Sequence, residues 1–551
     1  MLALVLGGLA WAPHPGWCGS VLSTSPAHLE SWPDAQLEIL IDFDLPLDST
    51  SVTPATVAVF GRWSGPRPGA HTLESGGTRL RFVPVDSFSR GEMVTVNLPH
   101  SVRFANGDTL TLGYAWQFMI QPLPGILDLV AIDTLPLRLP GEGHIQSYGA
   151  YAGDLNHDGK SDLAIPNEIS VDVRVCLNNG TGGYDSFVVY DLPGGQTPSP
   201  NEGGDFNRDG HIDLAVGNAG NDKLSVFFGD GLGAFGAPDN YVSGAAVRGV
   251  CVIDLDADGD DDLVTANRSG NFLSLFYNDG GGNFDSSRTL EAGMANETAV
   301  AQADFNGDGV LDVAVGAHNG QELAILLGDG QGNLTFSEKI GAGGRVWMIA
   351  TGDLDLDGDA DIASANSFSN NTSLAFGDGT GGFDSVEVYP GGSFTLAVDV
   401  GDIDGDADLD VVTSHYSSAV FLLWENNGSG VLLGPTTYEA ESAGSCALLH
   451  DRDADGDLDM TGIDEDADLV ILFDNACPVP LTGDLNHDLA LTSGDIVLLV
   501  NVVFKSAPSP TPCLELGDTN CSGLVGTADI ITLVNYVFKG GAAPCTMCQC
   551  P

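Results

Sequence analysis

Short apolar runs alternate with polar turns along most of the chain. Residues 214–216 (Leu-Ala-Val) and 411–413 (Val-Val-Thr) are two such runs, and glycine, asparagine or serine follows them closely. β-Branched runs of this length, bounded by turn residues, indicate strands, and about four of them fall in roughly every 50 residues. The runs do not keep the 3.6-residue apolar period of a helical repeat. The pattern predicts a mainly β protein.

An acidic motif recurs seven times within this pattern. It reads Asp-x-Asp/Asn-x-Asp-Gly-x-x-Asp, with Ala407 in place of glycine in the sixth copy, and successive copies start 49 to 51 residues apart. So regular a period indicates one supersecondary unit repeated side by side. Four short strands per unit are the measure of a propeller blade. The spacing therefore predicts a seven-bladed β-propeller over residues 126–477.

The two ends of the repeat region predict how the ring closes. The seventh unit stops after its third strand, at residues 469–473, whereas residues 127–139 read as an outer strand with no unit of their own. A closed ring leaves no sheet edge exposed to other chains. We therefore expect residues 127–139 to supply the outer strand of the last blade.

The repeated unit resembles the FG-GAP or VCBS repeat of integrin-α-type seven-bladed propellers. The resemblance is clearest from Phe227-Phe228-Gly229 through Gly236-Ala237-Pro238 in the second unit, and it covers residues 126–477. It implies the propeller fold, whereas function varies widely across that family.

The acidic motifs also predict metal sites. Positions 1, 3 and 5 of a tight loop turn their side chains to a common centre, position 7 adds a backbone carbonyl, and position 9 closes the cage. Hard oxygen ligands in that number favour Ca²⁺, so we expect about seven structural calcium ions in the propeller. The other interpretation is a set of solvated acidic turns. The predicted ligands, loop by loop, are Asp154, Asn156, Asp158, Lys160, Asp162; Asp205, Asn207, Asp209, His211, Asp213; Asp254, Asp256, Asp258, Asp260, Asp262; Asp304, Asn306, Asp308, Val310, Asp312; Asp353, Asp355, Asp357, Asp359, Asp361; Asp402, Asp404, Asp406, Asp408, Asp410; and Asp451, Asp453, Asp455, Asp457, Asp459.

Charge and backbone geometry refine this prediction. The seven loops hold 30 of the chain's 76 acidic residues, and without cations these clusters would repel strongly at short range. Glycine at position 6 permits the positive φ that the bend requires. Because alanine in that conformation is strained, we expect the site that contains Ala407 to bind calcium most weakly.

A second polar set lies five residues after the last aspartate of each loop. Equivalent positions in a closed propeller gather on one face, where they could bind sugar hydroxyls or a partner loop. Side chains that satisfy the backbone of their own turns are the other interpretation. The set is Asn167, Asn218, Asn267, His318, which stands beside Ala317, Asn366, His415 and Asp464.

Residues 20–122 read as an all-β sandwich of short strands, at residues 37–43, 56–60 and 93–98. The segment resembles bacterial Ig-like domains through residues 43–48, 80–84 and 116–118, which implies a spacer or stalk. Residues 1–12 form an apolar run that ends in Ala-Trp-Ala and fits a secretory signal, although it carries no positive residue. The other interpretation of that run is a buried strand.

Residues 480–540 hold two loop–helix units in which the closing carboxylate falls at position 12, the EF-hand spacing. The segment resembles a type I dockerin, which implies up to two calcium ions, a paired-EF-hand helical domain and a cohesin partner. The other interpretation is a C-terminal cap or sorting module. Cysteines of the tail, residues 541–551, could form disulfides or bind zinc. The implied calcium ligands are Asp484, Asn486, Asp488, Asp495, Asp518, Asn520, Ser522 and Asp529, and the implied cohesin contacts are Ser493, Gly494, Thr527 and Ala528.

The net charge limits the classes of partner that we expect the chain to bind. A formal charge of -57 repels phosphate backbones and anionic lipids, so we expect no nucleic acid and no membrane insertion. We found no metallohydrolase or serine-hydrolase motif. The sequence therefore predicts a secreted or cell-surface bacterial adhesion protein that binds an extracellular glycan or protein, and not an enzyme. Two alternatives stay open: a polysaccharide-degrading enzyme or its accessory subunit, and a purely structural matrix component.

Overall fold

The computed structural model describes residues 19–475, 493–505, 519 and 525–539. Strands dominate this part of the chain, which contains only two α-helices. The prediction of a mainly β protein is therefore confirmed. Among the described residues, no helix combines the length and the apolar character needed to cross a membrane.

Residues 21–120 form two sheets that share one core of aromatic and aliphatic side chains, including Trp116, Phe118 and Phe82. Strands β3 (Ile39–Phe43) and β7 (Arg79–Pro84) alternate buried and more exposed residues, as expected when one face of a sheet packs on another. The first sheet has the order β1 (Val21–Ser25), β3 (Ile39–Phe43), β7 (Arg79–Pro84), β6 (Gly69–Glu74), and the second has the order β2 (Ser31–Trp32), β9 (Tyr114–Ile120), β8 (Met93–Leu98), β4 (Ala58–Gly61), β5 (Gly65–Pro66).

Seven four-stranded antiparallel sheets follow, an arrangement consistent with a propeller. We number these sheets one to seven along the chain. They are β11 (Tyr151–Gly153), β12 (Asp162–Asn167), β13 (Asp172–Cys176), β14 (Val188–Asp191); β15 (Pro198–Gly204), β16 (Asp213–Asn218), β17 (Lys223–Phe227), β18 (Asp239–Val242); β19 (Val247–Ile253), β20 (Asp262–Asn267), β21 (Phe272–Tyr277), β22 (Ser286–Leu290); β23 (Glu297–Ala303), β24 (Asp312–Ala317), β25 (Glu322–Gly328), β26 (Leu334–Gly341); β27 (Val346–Gly352), β28 (Asp361–Asn366), β29 (Asn371–Gly377), β30 (Phe383–Pro390); β31 (Thr395–Gly401), β32 (Asp410–His415), β33 (Val420–Glu425), β34 (Leu433–Glu439); and β35 (Gly444–His450), β36 (Asp459–Asp464), β37 (Leu469–Asp474), β10 (Val130–Pro136).

The composition of each strand follows its place in the sheet. The first strands of neighbouring sheets contact one another, and every residue of the second strands is buried, which matches their continuous small and β-branched residues. The fourth strands are mostly exposed and carry charged side chains, as β26 does. Charged residues on an outer strand discourage pairing with another chain.

The seventh sheet meets both ends of this region. Its outer strand, β10, precedes the first sheet in sequence and pairs with β37 from Val130↔Asp474 to Pro136↔Leu469. Leu163 and Ile165 of the first sheet share a core with Met460 and Phe473 of the seventh. The amide of Asn178 in the first sheet also donates to the carbonyl of Arg452 in the seventh, at 2.7 Å. These contacts place the first and seventh sheets side by side.

Two helices lie beyond the sheets, α1 (Ser493–Lys505) and α2 (Thr527–Lys539). They contact each other, and Leu499 and Leu533 are fully buried. Both helices lie in the part of the chain where the apolar spacing predicts them.

Asp468 joins the segment after β10 to the seventh sheet. Its buried carboxylate accepts hydrogen bonds from Ile145 N at 3.1 Å and Ser147 N at 3.3 Å, and it pairs with Arg138 and His144. The side chain of Asp468 is 0% exposed. Loss of this carboxylate would leave buried donors unsatisfied.

We expect Asp468→Ala to lower the free energy of unfolding by about 3 kcal/mol, because it breaks a buried, hydrogen-bonded ion pair. Urea denaturation followed by tryptophan fluorescence measures the change. The matched control is Asp466→Ala, since Asp466 lies on the same turn but is exposed. Equal stability of the two variants would contradict the conclusion that Asp468 holds the segment after β10 to the seventh sheet.

Candidate metal loops and the central channel

Each of the seven acidic loops connects the first strand of its sheet to the second. In the first sheet, β11 ends at Gly153 and β12 begins at Asp162, so the nine-residue motif spans the whole connection. The other six sheets repeat this connection. The loops therefore lie at one common rim of the sheets.

All seven loops adopt the same backbone shape. Position 6 has a positive φ in each loop, including 79° at Ala407, as the glycine pattern predicts. Position 4 also has a positive φ in each loop, and there the residues range from glycine to His157 and Leu356. The sequence analysis missed position 4 because its residue types share no feature. Two left-handed residues in nine make a tight bend that brings alternate side chains together.

The aspartate at position 9 ties three strands of its sheet. In the first loop, Asp162 accepts from Leu155 N at the loop's start, at 3.0 Å, and from Asn178 N after the third strand, at 2.7 Å. The second bond recurs in all seven sheets, and the first in six. In the seventh loop the first bond is not formed, and the guanidinium of Arg452 forms an ion pair with Asp459 at 3.1 Å instead. The closing aspartates are 0 to 1% exposed.

Carboxylate oxygens converge inside four of the loops. In the third loop the oxygens of positions 1, 3 and 9 (Asp254, Asp256 and Asp262) lie within 4.8 Å of one another, and in the fifth, sixth and seventh loops those of positions 1, 3 and 5 do. Several of these oxygens are buried and have no hydrogen-bond donor, which is costly for an anion. Such oxygens belong to Asp254, Asp256, Asp355, Asp408, Asp451 and Asp457.

The remaining three loops hold fewer carboxylates because asparagine occupies position 3. The amide groups of Asn156, Asn207 and Asn306 donate to the position-5 carboxylates at 2.9 to 3.3 Å. Asparagine also offers a carbonyl oxygen, so these loops keep an oxygen donor set of lower charge.

Burial makes the charged state of these carboxylates unfavourable. It raises the pKa of Asp162 and Asp205 to about 7 and that of Asp312 to about 8. In the seventh loop, burial and then the charge of Asp455 raise the pKa of Asp457 to about 10. A bound cation would offset this penalty. The unpartnered oxygens, their convergence and their hard donor chemistry fit Ca²⁺.

The sandwich of residues 21–120 covers part of the loop rim. His100 N, Ala115 N and Leu123 N donate to loop carbonyls, each at 2.7 Å, and Asp154 N donates to Trp63 O at 2.7 Å. The first, third, fourth and seventh loops form these hydrogen bonds. The loop face is an interface within the protein, whereas the opposite rim carries no such cover among the described residues.

The polar set at the ends of the second strands lies on that opposite rim, but its side chains are buried. All seven are at most 2% exposed. Asn267 Oδ1 accepts from Gly244 N at 3.1 Å, and Asp464 accepts from Ser442 N and Ala443 N at 2.6 and 3.1 Å. The predicted binding role is therefore not supported, because these side chains satisfy neighbouring turns and strands. The full set is Asn167, Asn218, Asn267, His318, Asn366, His415 and Asp464.

Most of the predicted C-terminal ligands lie outside the described residues. Asp529 is buried in the first turn of α2, where its carboxylate accepts from Gly526 N at 2.8 Å. Thr527 and Ala528 are exposed at the start of α2. Ser493 and Gly494 lie at the start of α1. The side chain of Asp495 is not described, and the segments that contain Asp484, Asn486, Asp488, Asp518, Asn520 and Ser522 lie outside the described residues, as do residues 1–12 and 541–551.

A channel between the first strands contains charged side chains that the sequence analysis missed. Arg62 of the sandwich reaches into it and pairs with Asp399 at 2.9 Å, beside a cavity of about 210 Å³ that Glu202 also lines. Burial raises the pKa of Glu202 to about 7. These residues occur once each and belong to no repeated motif. A comparison of first strands between units could have revealed them as isolated charges.

FG-GAP-like repeats occupy residues 154–413. The family model described as FG-GAP-like repeat matches five overlapping segments, residues 154–216, 205–265, 254–315, 304–364 and 353–413. The predicted resemblance is confirmed for these residues. The match does not reach residues 20–122 or 480–540, so the Ig-like and dockerin-like resemblances stay predictions.

A search of curated proteins found no match to the chain. Solved structures similar to part of it include BBS1N in complex with ARL6DN, with 13% identity, 64% of this chain and 98% of that chain covered, and a TM-score of 0.45. An Agrocybe aegerita lectin that recognises non-reducing terminal N-acetylglucosamine has 17% identity, 70% and 97% coverage, and a TM-score of 0.42. A functionally unknown protein from Desulfotomaculum acetoxidans has 12% identity, 54% and 90% coverage, and a TM-score of 0.39.

We expect Ala407→Gly to raise the free energy of unfolding by about 1 kcal/mol, because glycine adopts a positive φ without strain. The reciprocal control is Gly358→Ala in the fifth loop, where φ is 93° and an added Cβ would meet no atom within 4 Å. That variant should lose a similar amount. Thermal melting in calcium buffer measures both changes. If neither variant shifts the melting temperature, strain at position 6 does not matter.

Proposed function

We propose that this chain is a secreted, calcium-stabilised recognition protein. Its seven sheets act as the blades of a closed propeller, each with a calcium ion in its acidic loop, and the rim opposite the loops binds an extracellular glycan or protein. The converging carboxylates carry the proposal, since in each of four loops three carboxylate oxygens lie within 4.8 Å of one another. Ca²⁺ accepts six to eight hard oxygen donors, which matches the donor set of these loops better than zinc does.

The proposed calcium ions have a structural role. Each loop joins the first two strands of a sheet, and its closing aspartate reaches the end of the third strand. Four loops also form hydrogen bonds with the sandwich. A cation in the loop would therefore stabilise both the sheet and the interface between the sandwich and the sheets.

The C-terminal helices provide the proposed attachment module. Thr527 and Ala528 are exposed at the start of α2, and the two helices pack through buried Leu499 and Leu533. The matching spacing of the two loop–helix units supports a paired EF-hand with up to two calcium ions and a cohesin as partner. Export in a bacterium would give such a module access to a cell-surface scaffold.

One observation favours a second function, cleavage of a polysaccharide. The side-chain amide of Gln146 donates both to Glu168, at 3.0 Å, and to Glu465, at 2.7 Å. The two acceptor oxygens therefore lie within about 6 Å of each other, close to the spacing of carboxylate pairs in glycoside cleavage. Burial raises the pKa of Glu465 to about 8, so this group can hold a proton at neutral pH.

Removal of calcium should lower the melting temperature of the full chain, because each ion held at 100 times its Kd contributes about 2.7 kcal/mol. Differential scanning calorimetry in calcium and in chelator measures the shift, and magnesium should not replace calcium. Asp353→Asn should lose part of the calcium-dependent rise. The matched variant Asp86→Asn, on an exposed turn of the sandwich, should keep all of it. Identical melting in calcium and chelator would contradict the proposal.

If the chain cleaves polysaccharide, Glu465→Gln should lower the rate of product release at least about a hundredfold. Retention of the polysaccharide should stay unchanged. Reducing-end assays on the retained polysaccharide measure this, with Asp466→Asn as the exposed neighbouring control. Absence of products from the unaltered chain would exclude the second function and leave the recognition role.

A further inference from the structure

The rim opposite the loops carries a cluster of arginine and aromatic side chains that no repeated motif predicts. Arg268 lies with its Cζ 4.9 Å from the ring centre of Trp347, Arg248 lies 5.4 Å from the same ring, and Arg345 lies 5.4 Å from the ring of Phe368. Phe368 and Phe394 meet edge to face at 4.6 Å. We call these six residues the arginine–aromatic patch. They come from the third, fifth and sixth sheets.

The charge of the patch is opposite to that of the rest of the protein. The chain has 19 lysines and arginines against 76 acidic residues, yet three arginines meet here. Arg248 pairs with Glu168 at 3.0 Å. Arg268 and Arg345 have no carboxylate partner among the described residues. In a chain with a fourfold excess of acid, two guanidinium groups without a carboxylate partner, both close enough to His318 to lower its pKa, favour a ligand that supplies the anion.

A neighbouring histidine reports the local potential. His318 contacts the rings of Trp347 and Phe368 at 5.3 and 5.6 Å. Burial, and then the charges of Arg268 and Arg345, lower the pKa of His318 to about 4. His318 is therefore neutral at neutral pH, and the positive charge of the patch comes from the arginines alone.

The aromatic surface of the patch is open to solvent. Phe368 is 56% exposed, and Trp347, Phe394 and Arg345 are partly exposed. An exposed aromatic surface rimmed by polar groups is typical of a binding site. Beside it, a cavity of about 120 Å³ opens between Tyr148, Arg248 and Trp347. The patch therefore offers a flat apolar surface, two free cations and a recess.

We infer that the arginine–aromatic patch binds a uronate residue of an acidic polysaccharide. A uronate sugar has a carboxylate for Arg268 and Arg345 and an apolar face of C–H groups for Trp347 and Phe368. It also has hydroxyl groups, for which Glu168 offers carboxylate oxygens beside Arg248, at 3.0 Å from the guanidinium. An acidic peptide supplies anions but few hydroxyls, so the observations favour the saccharide.

This inference rests on the proposed recognition function and names its ligand class. The loop rim is partly covered by the sandwich, whereas the patch lies on the opposite rim, so ligand and calcium do not compete for the same residues. Binding at the patch and stabilisation by calcium can therefore be measured independently.

The test uses the full chain loaded with calcium and freed of excess calcium by gel filtration, so that free ions cannot bridge carboxylates. Isothermal titration calorimetry with trigalacturonate is compared with its methyl ester and with neutral cellotriose. We expect Arg268→Gln and Arg345→Gln each to weaken trigalacturonate binding about tenfold, the worth of one charge-assisted hydrogen bond. Phe368→Ala, a change at an exposed residue, should weaken it as well.

The matched control is Arg288→Gln. Arg288 also lies over an aromatic ring, Tyr277 at 6.0 Å, but on the outer strand β22. Its substitution should change affinity less than twofold. Equal losses of trigalacturonate affinity in Arg268→Gln and Arg288→Gln would overturn the inference. Equal affinity for trigalacturonate and its methyl ester would also overturn it. So would binding of polyglutamate by a chain that binds no saccharide. If calcium stabilises the chain but the chain does not bind trigalacturonate, this inference is wrong and the proposed calcium role is unaffected.

Discussion

A buried aspartate at the start of every second strand organises the seven sheets. In six of the seven sheets its two oxygens accept amide hydrogens from the beginning of the loop and from the end of the third strand, so one carboxylate fixes three strands. The same aspartate lies beside the other carboxylates of its loop, and burial raises its pKa to about 7 or 8 in five sheets. The hydrogen bonds favour the charged form, whereas the surroundings oppose it. The proposed calcium ion would resolve this conflict.

The acidic loops distinguish two rims of the seven sheets, the loop rim and the opposite rim. The loop rim is partly covered, because the sandwich forms hydrogen bonds with four loops and inserts Arg62 into the channel. On the opposite rim, the turns between the second and third strands are each four residues long but differ in sequence between sheets. Variation there does not disturb the loops, since the buried asparagine, histidine and aspartate side chains hold each turn in place. The patch around Trp347 occupies this rim, where it can change without loss of the fold.

The sequence predicts the repeated features well because the same physical requirement recurs seven times. Loop positions, the strand pattern, the positive φ at Ala407 and the two C-terminal helices could all be read from spacing. The positive φ at position 4 could not, because residues as different as His157 and Leu356 adopt it. Likewise, polar residues recur at the position of Asn167 in the repeated units, and this recurrence predicted a binding face. Spacing cannot show whether a polar side chain points to solvent or to a turn. The arginine–aromatic patch joins residues about 150 positions apart, and only the arrangement of the sheets brings them together.

The most direct test of the account counts the calcium ions. The full chain is equilibrated with calcium, passed through a chelating resin that removes loosely held ions, and analysed for bound metal by elemental mass spectrometry. The account predicts about seven ions from the acidic loops, and up to two more from the C-terminal segment. A folded chain that retains two ions or fewer would contradict it, because the carboxylate clusters of the loops would then be stable without a cation.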